Sequence, residues 1–551
     1  MQGKSRVDRE LLDAGEMAGH LVPPGSVFAF LAEHRRELFP DSFTADLFSS
    51  RTGRPSLPAD LVGSVLVLKE LFDLSDPQTA DALSYDIRWK VACGRSLDQM
   101  SFDPSTLVYW RRRIAASDRP DRVFDAVAEV IVQTGILRGR RRRCVDSTVF
   151  DDAVATQDTV TQLVAAIRKV ARVVPGAEEV IAGVCALDYS APGKPGIDWD
   201  DPAAKEKLVS DLVNDALAVL AELAGPGAPP RDPAAADALG LLALVAGQDV
   251  EPADGSDGTD GRWRIARKAA PDRVISTVDT QARHTRKSKS RRRDGFRGHV
   301  AAEPETGLVT ECEMTMAAGE GSTDAENGVK MAGRDRFTGT PGGTGPGQEP
   351  DAPAGTTDSA RPDADEPQDA RLEVYGDSSY GSGEARAAYR DAGHDTVIKP
   401  GPLRQAVPGG FTADDFTIDE QAGTVTCPAG LTRPMTRTRT VTFGAACAGC
   451  PLRERCTTAR DGRSMTIHLH EDLLRAARAQ ARTDDFKNAY PTRSVIERII
   501  ARTATQNGRR VRLRYLGAAK NDAWLHTRCA AINLRTLLRH GLTRDGAWVL
   551  A

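Results

Sequence analysis

The chain reads as an α/β protein: a mixed sheet flanked by helices, preceded by a helical segment and broken by inserts. Three observations predict this. Short apolar, β-branched runs recur at RCVDSTVF, RVISTVDT, GFRGHVAAEPETGLVTECEMTMA, RLEVYGDSSYG and HDTVIKP. Segments with apolar residues at helical spacing lie before, between and after them. Stretches rich in proline, glycine or charge punctuate the order.

In sequence order, residues 1–24 form a polar tail. Residues 25–135 read as helical. PADLVGSVLVLKELFDLS follows a proline start, and FDPSTLVYWRRRIAA is a helix with Asp103 as cap and Pro104 at its first position. That short helix carries Tyr109, Arg111, Arg112 and Arg113 and has the look of the second helix of a helix-turn-helix, which predicts contact with DNA. A strand is expected at Arg143–Phe150, opening residues 136–335, with a helical insertion at about 158–250. EPETG reads as the turn of a hairpin. Residues 336–370 are acidic, rich in proline and glycine, and expected to be disordered. Residues 371–400 supply a strand, a helix ending at Gly393, and a second strand. Residues 401–489 form a cysteine-bearing insert. Residues 490–551 are helical around RSVIERIIART and DAWLHTRCAAINLRTLLRHG.

A chain of 551 residues can bury more than one core. The net charge of -4 hides local asymmetry. RHTRKSKSRRRDGFR holds a single acid, and from Arg493 to Arg539 only Glu497 and Asp522 oppose the basic residues. Several such blocks predict a nucleic-acid partner. No apolar run reaches about 18 residues, so no membrane partner is expected. The N-terminus lacks a signal-peptide core, and nine cysteines are an odd count for a disulfide framework. Together these predict a cytoplasmic protein.

Three acids stand out by context. Asp146 lies within an apolar strand, where a carboxylate is costly without a partner. Asp377 closes the strand LEVYG before a helix. Glu497 lies on a helix beside Val495, Ile496, Ile499 and Ile500. Taken singly, each fits a cap, a turn former or an exposed helix residue. Together they offer oxygen ligands for two divalent cations, Mg²⁺ or Mn²⁺, about 4 Å apart, as phosphodiester chemistry uses. Asp151 and Asp152 fall beyond the expected strand, in a turn or helix start. Arg140, Arg141, Arg142 and Arg143 run into the strand and suit phosphate contact, or a solvated strand entry.

Four cysteines cluster in the insert: Cys427 in CPAG, then Cys447, Cys450 and Cys456 in CAGCPLRERC. Their spacing suits a tetrahedral structural Zn²⁺ site in a ribbon-like module, with a redox pair or chance grouping as alternatives. The other five read as small buried residues. His299, His394, His468 and His470 read as structural.

The stretches VDSTVFDDAVATQDTVTQL, GDSSYGSGEARAAYRDAGHDTVIKP and YPTRSVIER resemble the DDE transposases of bacterial insertion sequences. That resemblance implies a ribonuclease-H-like fold behind a helical N-terminal domain. It implies Asp146, Asp377 and Glu497 as catalytic, metal-binding acids. The third sits in a Y-x2-R-x3-E pattern made by Tyr490, Arg493 and Glu497, with Tyr490 and Arg493 placed toward DNA. The basic residue common seven positions after the Glu is Ala504 here, a departure that leaves one DNA-end contact unassigned. The resemblance further implies metal-dependent cleavage and strand transfer on terminal inverted repeats and target DNA, a homodimer on DNA, and a nucleoid-associated location. A non-transposing nuclease of the same fold, and a DNA-binding regulator with a decayed catalytic domain, are the alternative functions.

Overall fold

The computed structural model describes residues 1–5, 11–49, 52–225, 232–268, 270, 272–288, 291–337 and 371–551. The expected acidic loop falls almost wholly outside the described residues.

Six strands form the main sheet: β1 (Arg142–Asp151), β2 (Arg283–Ser288), β3 (Arg291–Ala302), β4 (Val309–Met316), β5 (Glu373–Gly376) and β6 (Asp395–Ile398). β3 runs antiparallel to β1, to β2 and to β4. On its other side β1 is parallel to β5, and β5 is parallel to β6. Across the sheet the order is β2, β3, β1, β5, β6, with β4 also paired to β3, so β1 is central. It is a mixed sheet in a mixed α/β chain.

Six helices matter for the site: α1 (Ser105–Ala115), α2 (Arg122–Thr134), α3 (Asp324–Arg334), α4 (Gly383–Asp391), α5 (Ser494–Ala504) and α6 (Ala518–Arg539). Local chemistry sets their starts. Asp103 accepts the Ser105 N–H and Pro104 already has helical dihedrals, as the sequence predicts for α1. Thr323 caps α3 and Ser382 caps α4.

The GFRGH stretch explains how closely β3 approaches β1. Gly295 has φ +147°, and a Cβ there would lie 2.0 Å from the Phe150 carbonyl oxygen. A Cβ on Gly298 would meet the Phe150 ring at 2.6 Å. Neither position admits a larger residue without moving β1.

One core joins the N-terminal helices to one face of the sheet. It runs from Leu31, Leu68 and Val127 through Cys144, Phe150 and Val300 to Ile496, Leu525 and Leu534. The C-terminal α6 lies between the two and packs against β4, α2 and the helix Ala59–Phe72. Arg528 of α6 is buried and ties them, donating to the carbonyls of Glu70, Thr503 and Thr505. The opposite sheet face is covered by α3 and α4. The insertion between β1 and β2 holds the helices Thr159–Val173, Ala177–Val184, Pro202–Ala224 and Pro233–Gln248 around a core of its own. The cysteine-bearing insert is likewise a small unit, with Phe416, Val425, Val441, Phe443 and Ile467 inside.

Three readings change. RVISTVDT forms no strand; Val274 makes only an isolated bridge to Arg283. The described part of the basic block RHTRKSKSRRRDGFR instead forms two antiparallel strands, β2 and β3. Asp151 is the last residue of β1, paired with Gly295, and Asp152 is buried rather than exposed. Burial, with Asp294 nearby, pushes the Asp152 carboxyl up to about 6.

Candidate active site

Alternation along β1 turns Cys144, Asp146 and Phe150 toward the face that carries α5 and α6. Cys144 Sγ lies 3.8 Å from the Thr492 carbonyl, and the Phe150 ring stacks edge-on against Trp524. Asp146 therefore points at the start of α5. β5 lies beside β1, and the chain leaves its end at Asp377, whose carboxylate accepts the Ser379 N–H and caps a short 3₁₀ turn. α5 begins at Ser494 after a 3₁₀ turn, Tyr490–Arg493. Ile496, Ile499 and Ile500 face the core, which leaves Glu497 on the outward side of the first turn.

These three acids meet at one cation. Arg493 Nη2 lies 3.3 Å from Asp146 Oδ2 and 4.0 Å from Asp377 Oδ2, and Nη1 lies 3.2 Å from Glu497 Oε1. Burial works against the guanidinium charge. Asp146, Tyr490, Asp377 and Glu497 outweigh it and hold the group above its ordinary value. Tyr490 stacks on Phe486 at 5.1 Å beside the same cluster. The arrangement brings Asp146, Asp377, Glu497, Arg493 and Tyr490 together from three separate segments. Its donors are hard carboxylate oxygens around a position that already favours positive charge, a set suited to Mg²⁺ or Mn²⁺.

Support for Asp146 comes from across the sheet, through residues that sequence reasoning passed over. The Ser147 N–H donates to Asp146 Oδ1 at 2.8 Å, and the Ser147 hydroxyl donates to Asp324 Oδ1 at 2.7 Å. Arg297 also pairs with Asp324, at 3.2 Å. His299 is fully buried 3.4 Å from Asp324, and burial pushes it down to about 3, so it stays neutral. Tyr380 is buried where Asp324, Asp146 and Asp377 all act on it. Its place in G-D-x-x-Y is the one signal that pointed to it.

The remaining basic residues divide. Arg112 and Tyr109 of α1 are exposed. Arg111 is committed to Asp76 through two bonds of 2.8 and 2.6 Å, and Arg113 to the Leu47 carbonyl and the Phe48 ring. Arg140 pairs with Glu305, and Arg142 with Glu373 and Glu305. Arg141 is exposed. Arg143 turns inward, contrary to phosphate contact: it and Asp335 are each 2% exposed and pair at 2.5 Å. A buried, paired guanidinium has no donor left for DNA. Ala504, where a basic residue was expected by resemblance, is buried, and Arg502 donates to the Gly307 carbonyl at the β3–β4 turn.

Cys427, Cys447, Cys450 and Cys456 line one cavity of about 290 Å³ in the insert. Cys427 opens a turn after the strand Thr424–Thr426, Cys447 ends a 3₁₀ turn, and Cys456 closes the helix Arg453–Cys456. Burial and the other three thiols push the Cys456 thiol up, against Arg463. Among the described residues a single trio of potential metal-ligating atoms lies within 4.8 Å of one another, Asp121, Asp522 and His526; neither the acids around Arg493 nor the four thiols are drawn that close. His526 Nδ1 donates to the Asp522 carbonyl at 3.0 Å and faces Asp522 Oδ2 at 3.4 Å and Asp121 Oδ1 at 3.7 Å. That nitrogen is already spent, so the trio is an ion-paired latch between α2 and α6.

Two family models match the chain. One described as a transposase DDE domain covers residues 426–538, which include the four cysteines, Tyr490, Arg493 and Glu497. One described as a transposase domain (DUF772) covers residues 18–113. An uncharacterized protein, ORF8 in the nfe locus of Rhizobium meliloti, is 31% identical over 112 residues, 20% of this chain and 54% of that protein. The chain thus spans about half the length of that relative. No solved structure matches. With a match to a transposase domain toward its N-terminus and to a transposase DDE domain toward its C-terminus, in that order, the chain is similar at both ends to transposases, and the two matches together support a DDE transposase of an insertion sequence.

Proposed function

We propose that the chain cleaves DNA at the ends of its own element and joins the freed 3′ ends to target DNA. The observation that carries this is the convergence of Asp146, Asp377 and Glu497 on Arg493. The sheet supports it too: three antiparallel strands, then two parallel to the central one, as a ribonuclease-H-like fold requires.

In this reading Asp146 is the fixed ligand, held on the central strand and oriented by Ser147. Asp377 comes from a strand end and Glu497 from an exposed helix turn, so both have room to adjust. Two divalent ions, Mg²⁺ or Mn²⁺, would supply activation of the attacking oxygen and stabilisation of the leaving one. Water first hydrolyses the phosphodiester at the element end, and the released 3′-OH then attacks a target phosphodiester in line. Arg493 and Tyr490 orient the scissile phosphate and its neighbour. Tyr109 and Arg112 on α1, and Arg141 at the entry to β1, face solvent where they can contact duplex DNA. Two copies of the chain hold the two ends. The four cysteines hold one structural Zn²⁺, since four thiols around one small cavity repel as thiolates until a cation joins them.

The test is a cleavage and strand-transfer assay on element-end DNA with Mg²⁺. Asp146→Asn and Glu497→Gln are each expected to lower both steps by about 10²–10³-fold or more, the scale for losing one charge-stabilising group. DNA binding is expected to persist. Transposition by Asp146→Asn at the wild-type rate would sink the assignment.

A further inference from the structure

Arg493 sits where three acidic side chains converge, and its own Nε has no hydrogen-bond partner. It reaches them from the junction between a 3₁₀ turn and α5, on a long side chain that is 17% exposed. One of its three contacts is loose, at 4.0 Å. The other two are hydrogen bonds, to Glu497 at 3.2 Å and to Asp146 at 3.3 Å, at the long end of the range, so a stronger cation can displace the group. A divalent ion on the same oxygens and the guanidinium cannot both be accommodated without repulsion.

We infer that Arg493 is the resident counter-ion of the site, competing with divalent metal for Asp146, Asp377 and Glu497 until a nucleic-acid phosphate draws it away. This rests on the reading of the three acids as metal ligands. The guanidinium keeps the acids together while the protein carries neither metal nor DNA. When a phosphate takes the arginine, the oxygens it held become available, so metal binding and DNA binding favour each other. By linkage that coupling runs both ways. A site built this way loads metal readily only with DNA in place, which restrains hydrolysis of the wrong target.

The test measures Mn²⁺ affinity of the full-length protein without DNA, by the loss of the free Mn²⁺ electron-spin resonance signal. The chains compared are wild type, Arg493→Gln, Arg493→Lys and Asp146→Asn. Removing the competing charge is expected to tighten Mn²⁺ binding about tenfold in Arg493→Gln, with Arg493→Lys between it and wild type. Equal or weaker binding in Arg493→Gln overturns the inference, because an arginine that merely stabilises the site would loosen metal when lost. Should Arg493→Gln fail to fold by circular dichroism, Arg493→Lys alone decides: tighter than wild type supports competition, equal or weaker overturns it. Asp146→Asn separates the two levels. If it leaves Mn²⁺ binding unchanged, the acids are not the metal site and the underlying reading fails as well. If it abolishes binding while the arginine variants match wild type, only the competition fails.

Discussion

Arg143 and Arg493 both hold a largely buried guanidinium, but their partners differ in kind. Arg143 has one buried acid, Asp335, and three further bonds to carbonyls and that carboxylate, so its position is closed. Removing one partner from a buried pair strands the other, at about 3–5 kcal/mol. Asp335→Ala is therefore expected to destabilise the protein by about that amount, read by urea denaturation. A loss under about 1 kcal/mol would contradict a closed pair. The three acids that converge on Arg493 each stand out in the sequence: Asp146 within an apolar strand, Asp377 at a strand end, and Glu497 in the Y-x2-R-x3-E spacing. The arginines do not. A basic run reads the same whether it faces solvent or an acid such as Asp335, which lies 192 positions away.

Among elements, the helices and the β3–β4 hairpin were readable because their apolar periods are clear, and the EPETG turn is fixed by Glu303 accepting the Thr306 N–H and hydroxyl. The β2–β3 strand pair was missed because its residues are largely basic, which hides a period of two. RVISTVDT misled in the other direction: Val274 and Ile275 are buried, but in extended backbone joining the helical insertion to β2. The α2–α6 latch was illegible, since Asp121 and His526 meet only in space. His526 is held above its ordinary value by Asp522 and Asp121 against burial. A raised folded value means its contribution is complete below the unfolded value of about 6.5 and fades as pH rises through the folded one. The stability gap between wild type and His526→Gln is thus expected to be about 1–2 kcal/mol at pH 6 and to shrink by pH 8.5, followed by urea melts at both. A gap that widens would mean that His526 is not a paired cation. In the cysteine-bearing insert, Cys447→Ser with Cys450→Ser is expected to remove one equivalent of zinc left after chelation of loose ions and to make the insert protease-sensitive. Zinc retained by that variant would rule the four thiols out as its ligands.

Over the whole molecule, the N-terminal helices share a core with the sheet through α6. The sequence suggested a separate DNA-binding unit at 25–135, because its helical pattern ends in a polar, arginine-rich break. What it could not reveal is that the helix Ala59–Phe72 and α2, which carry the buried Leu68 and Val127, pack against the C-terminal helix α6. A fragment of residues 1–137 leaves that surface open and is expected to lack a cooperative thermal transition by calorimetry. A sharp transition matching one in the full chain would show the unit to be autonomous. No helix of the described residues is long and apolar enough to cross a membrane.

Arg493 and Asp146 are 347 positions apart in the chain, yet only 3.3 Å separates their charged atoms. At ribosomal speed the interval between making the two is on the order of tens of seconds. For all that time a growing chain carries Asp146 without Glu497 or Arg493, so under the proposed function a chain cut short before α5 lacks a complete site.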